Sequence, residues 1–281
     1  MQQKNLHPDI HGHRGCSGDL PENSVPAFLK ATELGCDHLE MDVVLSKDGE
    51  LIVSHEPWMR HDLCVTPEGF RIPEGTERTF NLYEMTAEEI RKFDCGSLED
   101  PAFPDRETRG TFKPTLRLVV AEVDEHALLS GVAPPSFNIE VKSDPAFYGT
   151  FQPEPRAFAN AVITELDGLG ITERCMIQSF DPAILEVIHA ERDEIPLGFL
   201  VEGDATLNQQ LARLTFVPDV YSPHFKLADE ALLKAVREKE MELVVWTVNE
   251  DADIRRMLDL GVDGIITDHP ERAISIVERR D

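Results

Sequence analysis

The chain has 281 residues, of which 41% are hydrophobic, enough for one large α/β domain whose core needs no disulfides. With 27 basic and 53 acidic residues the formal charge is -26, which argues against nucleic acid or an anionic membrane as a partner. Five cysteines without Cys-x-x-Cys spacing predict reduced thiols rather than a disulfide framework or a zinc site.

The N-terminal residues contain no apolar run of signal-peptide length. Nowhere does the sequence contain about 18 uninterrupted apolar residues, the length that a transmembrane helix needs. We therefore predict a cytoplasmic protein without stable membrane association.

Short β-rich runs alternate with amphipathic stretches along most of the chain, which is typical of repeated βα units around a parallel sheet. The predicted strands are residues 9–13, 38–44, 136–142, 174–178, 195–200, 218–222, 242–247 and 263–267. The predicted helices are residues 23–34, 115–130, 155–169, 182–191, 205–214, 228–239, 251–260 and 271–279. Eight of each favour a closed (β/α)8 TIM barrel, with residues 1–281 as one catalytic domain.

A ninth β-rich run, Leu51–His55, follows the turn Asp48-Gly49. Asp-Gly between two β-rich runs is a strong hairpin signal, so the second strand is expected to fold back antiparallel past the barrel rim. Pairing about that turn would return His55 to the level of Asp42. Residues 57–113 then lose their periodicity except for a predicted helix over 86–93, and we expect them to form a small insertion over the barrel mouth.

Acidic side chains stand two residues apart on two of the predicted strands. Glu40 and Asp42 face the same side, and so do Glu140 and Lys142 about a hundred residues later. Inward carboxylates are costly unless a positive group neutralises them, and a divalent cation with oxygen ligands would do so. Taken alone, Glu40-x-Asp42 also fits a solvent-facing strand; Glu140, on an otherwise apolar strand, favours the metal.

Short motifs occur in a fixed order at the predicted strand ends. The first are His13-Arg14-Gly15, Pro21-Glu22-Asn23-Ser24, Glu40-x-Asp42-Val43, and Lys47-Asp48-Gly49 leading to His55. The later ones are Ile139-Glu140-Val141-Lys142, Gln178-Ser179-Phe180, Trp246-Thr247-Val248-Asn249 and Asp263-Gly264-Ile265-Ile266-Thr267-Asp268. Each is weak alone, but the ordered set is specific. Nearly end to end, the chain resembles the glycerophosphodiester phosphodiesterase family.

That resemblance implies a TIM barrel with a small insertion after the second strand. It implies hydrolysis of a small-molecule glycerophosphodiester to glycerol phosphate and an alcohol, with a divalent cation, Mg²⁺ or Ca²⁺, as cofactor. By the same resemblance, the metal ligands would be Glu40, Asp42 and Glu140.

The resemblance further implies that His13 and His55 are the acid/base pair and that Arg14 and Lys142 bind the phosphate. One histidine would activate water or the glycerol 2-hydroxyl, and the other would protonate the departing alcohol. Trp246 either packs in the core or lines the alcohol pocket at the mouth of the seventh strand.

Four further residues are expected to support the site or the fold around it. The family's Asp after the second histidine is Glu56 here, which keeps the charge on a longer side chain. Glu22 could orient His13, Asp268 could cap the last helix, and His11 is expected to pack or to support the site rather than to bind.

Two rival functions stay open: a phospholipase D-like hydrolase of lysophospholipids, and a non-catalytic barrel that binds a phosphate ester.

Overall fold

The computed structural model describes residues 7–279. The N-terminal stretch on which the absence of a signal peptide was predicted therefore lies largely outside the described residues. Among the helices of residues 7–279, none combines the length and the apolar composition needed to cross a bilayer.

Eight parallel strands form a closed barrel, as the sequence predicts. The barrel strands are β1 (Asp9–His13), β2 (His38–Leu45), β4 (Ser136–Val141), β5 (Cys175–Ser179), β6 (Leu197–Val201), β7 (Val220–Pro223), β8 (Glu242–Val245) and β9 (Gly264–Thr267). The spatial order runs from β1 through β9 down to β4 and β2, and pairing of β1 with β2 closes the ring. Strand β3 (Leu51–Val53) pairs antiparallel with β2.

Helices lie between the strands and cover the barrel. They are α1 (Val25–Glu33), α2 (Ala87–Ile90), α3 (Leu116–Ser130), α4 (Pro155–Leu169), α5 (Pro182–Glu191), α6 (Leu207–Leu211), α7 (Glu230–Arg237), α8 (Asp251–Leu260) and α9 (Pro270–Glu278). Helix α6 is half as long as the predicted 205–214, although Thr206 and Gln209 form a complete capping box at its start.

Local capping fixes where helices begin at the carboxyl ends of the strands. The Ser24 side chain accepts a hydrogen bond from the Ala27 amide at the start of α1. Asp181 does the same for α5, accepting from the amide of Ala183 directly after Pro182. Of the two capping residues, Asp181 also lines a cavity at this end of the barrel.

The hairpin after β2 forms as predicted. Val43 pairs with Val53, and the Ser54 amide donates to the Asp42 carbonyl at 3.0 Å. His55 therefore follows directly at the level of Asp42, at the barrel rim.

We propose that residues 57–113 form one insertion, because their apolar side chains belong to a small hydrophobic core separate from that of the barrel. This core packs on the hairpin residues Val44 and Ile52 and includes Leu82, Ile90 and Phe93. The predicted helix over 86–93 is shorter in the structure, where α2 is a single turn with the expected Thr86–Glu89 capping box.

The prediction that all thiols are reduced is wrong for two of the five cysteines. Cys64 and Cys95 form a disulfide within the insertion, with their Cα atoms 3.9 Å apart. Thirty-one positions separate them in sequence, so only the folding of the insertion reveals the pair. Such bonds are uncommon in the reducing cytosol, and the cytoplasmic localisation stays a prediction.

Candidate active site

The predicted site residues converge at the carboxyl ends of the barrel strands, where TIM-barrel enzymes carry their chemistry. His13 ends β1 and stands beside Glu40 of β2 in the strand register, while Asp42 stands beside Glu140 of β4. A cavity of about 280 Å³ opens at this end. Its walls include His13, Arg14, Glu40, His55, Glu140, Lys142 and Trp246. Asp42 lies just below this wall and is fully buried.

Three carboxylates meet at this cavity, two of them in its wall. One oxygen each from Glu40, Asp42 and Glu140 lies within 4.8 Å of the others. Relative exposures of 1%, 0% and 8% show that water does little to screen their mutual repulsion. The cluster is the arrangement that the strand alternation predicts.

The three carboxylates differ in how their oxygens are held: both oxygens of Glu40 accept hydrogen bonds, from Gln178 and from the Arg14 amide, whereas Asp42 keeps one oxygen without a hydrogen bond. The Asn23 amide donates to Asp42 Oδ2 at 2.8 Å, while the buried Asp42 Oδ1 has no hydrogen-bond partner. Lys142 Nζ donates to Glu140 Oε1 at 2.6 Å. Asp42 Oδ1 lies 3.7 Å from Lys142 Nζ. A buried carboxylate oxygen without a hydrogen bond, beside two further carboxylates, fits a hard cation such as Mg²⁺ or Ca²⁺.

The electrostatics of the cluster are uneven. Burial raises the pKa of Glu40 well above its usual range, and the neighbouring Asp42 and Glu140 add to the rise although His13 opposes it. For Asp42, burial would raise the pKa, but Arg14, His55 and Lys142 together lower it far below its usual range. Asp42 is therefore a permanent anion, whereas Glu40 needs a nearby cation to stay ionised at neutral pH.

Both histidines are held by carboxylates through the same ring atom. His13 Nδ1 lies 2.6 Å from Asp268 Oδ1, and His55 Nδ1 lies 2.7 Å from Glu56 Oε1. Because an ionised carboxylate only accepts, each Nδ1 carries the proton and each Nε2 remains for proton transfer. His13 Nε2 lies 4.0 Å from Glu40 Oε2 of the carboxylate cluster.

Asp268 lies beside His13, a position that the sequence analysis did not predict. It was expected to cap the last helix, yet its side chain accepts from His13, from Ser17 Oγ at 2.7 Å and from Asn249 Nδ2 at 2.6 Å. Burial alone would lower the pKa of His13, but Asp268 raises it above its ordinary value. The pairing of β1 with β9 brings the two residues together, a contact that one strand alone does not reveal.

Glu22 does not orient His13, contrary to expectation. Its Oε1 accepts from Arg14 Nη1 at 3.1 Å and lies 3.7 Å from Arg60 of the insertion. Arg14 Nε is also 3.2 Å from Asp42 Oδ2, so the guanidinium is held from two sides at the cavity wall.

A buried lysine supports the His55 segment, and the sequence analysis gave it no role. Lys113 Nζ donates to Ser54 Oγ at 2.7 Å, and that hydroxyl donates to the Glu56 carbonyl at 2.6 Å. Lys113 thus ties the end of the insertion to the chain on both sides of His55. No sequence signal marks this contact, because the two segments are joined only in space.

Trp246 lies at the cavity wall, and its indole Nε1 donates to the Ser222 carbonyl at 2.9 Å. Phe180 meets it edge to face, with ring centroids 5.5 Å apart. His11 stays outside the site, as expected: it is buried in the barrel, stacked on His38 at 4.3 Å and hydrogen-bonded to Asn138.

The chain matches the model of the glycerophosphoryl diester phosphodiesterase family over residues 13–272. It is 30% identical over 270 residues to a glycerophosphodiester phosphodiesterase of Caldanaerobacter subterraneus subsp. tengcongensis, covering 96% of this chain and 98% of that protein.

Solved structures are similar along almost the whole chain. The crystal structure of a putative glycerophosphoryl diester phosphodiesterase from Silicibacter pomeroyi matches with a TM-score of 0.85 and 27% identity, covering 98% of this chain and 96% of that one. An Oleispira antarctica phosphodiesterase, solved with the product sn-glycerol-3-phosphate, shares the fold with a TM-score of 0.75 and 19% identity, covering 97% and 98%. The chain therefore belongs to the glycerophosphoryl diester phosphodiesterase family and is an enzyme that hydrolyses glycerophosphodiesters.

Proposed function

We propose that this enzyme releases glycerol phosphate with a divalent cation held by Glu40, Asp42 and Glu140 and with His13 and His55 as the acid/base pair. The observation that carries the proposal is the juxtaposition of three buried carboxylates and two carboxylate-held imidazoles at one cavity. The Oleispira antarctica relative, whose structure contains sn-glycerol-3-phosphate, supports the expected product. The relatives do not favour the lysophospholipid hydrolase or the silent binding barrel.

The reaction must overcome a negative phosphodiester and a basic leaving alkoxide. A bound Mg²⁺ or Ca²⁺ would supply Lewis-acid polarisation of a phosphate oxygen. Arg14 and Lys142 would bind the remaining oxygens, because both cations are fixed at the cavity wall by carboxylates.

Proton transfer falls to the two Nε2 atoms. One imidazole takes a proton from water or from the glycerol 2-hydroxyl as that oxygen attacks phosphorus. The other donates a proton to the departing alcohol oxygen, so that no free alkoxide forms. Asp268 and Glu56 keep both rings in the required tautomer through Nδ1. Trp246, which lines the same cavity, would contact the substrate beside them.

The experiment compares His13→Ala and His55→Ala on two substrates with saturating Mg²⁺ or Ca²⁺. On glycerophosphocholine, both variants should lose about 10²–10⁴-fold in kcat. On a glycerophosphodiester of p-nitrophenol, whose leaving oxygen needs no proton, the variant lacking the general acid should recover most of its rate. The variant lacking the base should stay slow on both.

His126→Ala is the matched control, since this histidine lies on the outer helix α3 and pairs with Glu33. Its rates should equal those of the unmodified enzyme. Near-normal turnover of glycerophosphocholine by either site variant would remove that histidine from the mechanism.

A further inference from the structure

A second chamber of about 430 Å³ opens beside the catalytic cavity. The two share His55, Glu140, Lys142, Phe180 and Glu202 in their walls. A phosphate held near Lys142 therefore leaves one of its ester arms next to this chamber. The chamber is the larger of the two spaces, and no step of the mechanism above uses it.

The chamber walls differ from those of the catalytic cavity in being largely apolar. Trp58 and Phe147 contribute aromatic rings, and Pro57, Pro145 and Pro182 contribute further apolar surface. The catalytic cavity instead carries Arg14 and Gln178, which suit the hydroxyls of glycerol. The chamber is thus a better match for the leaving alcohol than for the glycerol half of the substrate.

The aromatic wall already attracts a positive charge. The Arg78 guanidinium carbon lies 4.8 Å from the Trp58 ring centroid and 5.5 Å from that of Phe147. Arg78 itself is not part of the chamber lining, whereas both rings are. A cation in the chamber would meet the same electron-rich rings from inside.

The charges in the chamber wall are predominantly negative. Five carboxylates stand against two permanent cations, Lys142 and Arg213. Both cations are engaged: Lys142 donates to Glu140, and Arg213 donates to Gln210 Oε1 and to the Phe180 carbonyl. The five carboxylates belong to Glu56, Glu140, Asp144, Asp181 and Glu202.

Glu202 is the carboxylate left over for a ligand. Asp181 is occupied by the hydroxyls of Ser143 and Tyr148, both at 2.5 Å, and Asp144 accepts from the Ala146 amide. Within residues 7–279, the Glu202 carboxylate makes no hydrogen bond or ion pair, and it stands exposed at the junction of the two cavities.

We propose that this chamber binds the leaving alcohol of the substrate and selects alcohols that carry an ammonium or trimethylammonium group. The proposal rests on the glycerophosphodiester hydrolysis described above and names the substrate class. Trp58 and Phe147 supply cation–π contacts, the prolines pack against methyl or methylene groups, and Glu202 supplies the opposite charge.

The test compares kcat/KM for glycerophosphocholine with that for glycerophosphoglycerol, whose alcohol is uncharged. The enzyme should prefer the choline diester by about tenfold, the combined effect expected of cation–π contacts and one exposed carboxylate. Glu202→Gln should reduce this ratio about fivefold because it removes the charge and keeps the shape.

Phe147→Leu is a second variant, which keeps an apolar wall and removes one ring face; it should also reduce the ratio, with thermal melting to verify its fold. Glu125→Gln is the matched control, because Glu125 is exposed on the outer helix α3, and it should leave the ratio unchanged.

The inference is overturned if the enzyme hydrolyses glycerophosphoglycerol as well as glycerophosphocholine, or if Glu202→Gln and Phe147→Leu leave the ratio unchanged. Absence of hydrolysis of either diester would instead count against the proposed function, so the two failures are distinguishable.

Discussion

At the scale of single residues, the site depends on pairs in which one side chain fixes the state of another. His13 with Asp268 and His55 with Glu56 are the clearest pairs, because each imidazole proton is held at Nδ1. A neutral ring held in this way presents a basic Nε2 to the substrate, and a protonated ring presents an acid.

Asp268→Asn tests this orientation. The amide can donate to His13 Nδ1 and would then favour the wrong tautomer, so kcat should fall by about 10²–10⁴-fold with little change in KM. Metal affinity, measured by calorimetry, should stay the same because Asp268 is not among the carboxylates of the cluster. Unchanged kcat would show that catalysis does not depend on the contact between Asp268 and His13.

His11 gives a pH dependence of stability that is separate from catalysis. Burial and then the neighbouring His38 lower its pKa well below the ordinary value, so the folded protein keeps this ring neutral. In the unfolded chain, His11 binds a proton below about pH 6.5, and this binding favours unfolding. The stabilisation of the folded state by neutral His11 is therefore complete above that pH and is lost as the pH falls.

We expect His11→Gln, which keeps an acceptor for Asn138 but does not titrate, to reduce this acid sensitivity. Between pH 7 and pH 5, the free energy of unfolding should fall more steeply for the unmodified protein, by up to about 1.4 kcal/mol per pH unit. Urea denaturation at several pH values measures the difference. Parallel curves for the two proteins would refute this role for His11.

At the scale of elements, the β2–β3 hairpin and the insertion assemble half of the site. The hairpin returns the chain to His55, and Arg60 and Lys113 of the insertion contact Glu22 and Ser54 next to it. The insertion therefore helps to hold the segment that carries His55, while its predicted role as a cover over the barrel mouth stays a prediction.

The Cys64–Cys95 disulfide should stabilise the insertion. Closing a loop of this length reduces the conformational entropy of the unfolded chain by the equivalent of about 4 kcal/mol, and both cysteines are buried. The double variant Cys64→Ser/Cys95→Ser should lower the free energy of unfolding by about that amount, measured by urea denaturation without reductant. Equal stability of variant and unmodified protein would contradict the expectation.

Most of the fold could be predicted from the sequence because each βα unit carries its own alternating pattern. Helices α4, α5 and α8 begin and end as predicted, where Pro155, Pro182 and Gly261 mark the boundaries. The carboxylate cluster was predictable for the same reason, since strand alternation alone places Glu40 and Asp42 on one side.

What could not be predicted depends on contacts between distant segments. The disulfide and the Lys113 contact arise from the irregular insertion, whose residues follow no period. The Asp268–His13 pair depends on the closing of the barrel between β9 and β1, which is a property of the whole sheet. The chamber beside the site likewise joins Trp58 of the insertion to Phe147 from the segment after β4.

At the scale of the whole molecule, the chain has a formal charge of -26, although its proposed substrate contains a negative phosphodiester. Such a field repels a singly negative diester over distances of about a Debye length and lowers its encounter rate. Zwitterionic diesters carry no net charge and escape most of this repulsion. The negative charge of the molecule and the chamber thus both favour zwitterionic substrates.

Salt should separate the two effects. Between about 20 mM and 200 mM NaCl, kcat/KM for glycerophosphoglycerol should rise several-fold as the repulsion is screened, while that for glycerophosphocholine changes little. The preference that persists at high salt measures the chamber itself. A decline for glycerophosphoglycerol with added salt would contradict repulsion by the acidic surface.

The central claim is that Glu40, Asp42 and Glu140 hold a divalent cation that hydrolysis requires. Chelator-treated enzyme is titrated with Mg²⁺ or Ca²⁺ while glycerol phosphate release from glycerophosphocholine is followed, with Asp42→Asn in parallel. We predict no release without metal, saturable recovery for the unmodified enzyme, and little recovery for Asp42→Asn, because that variant loses the anionic oxygen that has no hydrogen bond. Full activity in excess chelator, or normal recovery by Asp42→Asn, would contradict the account.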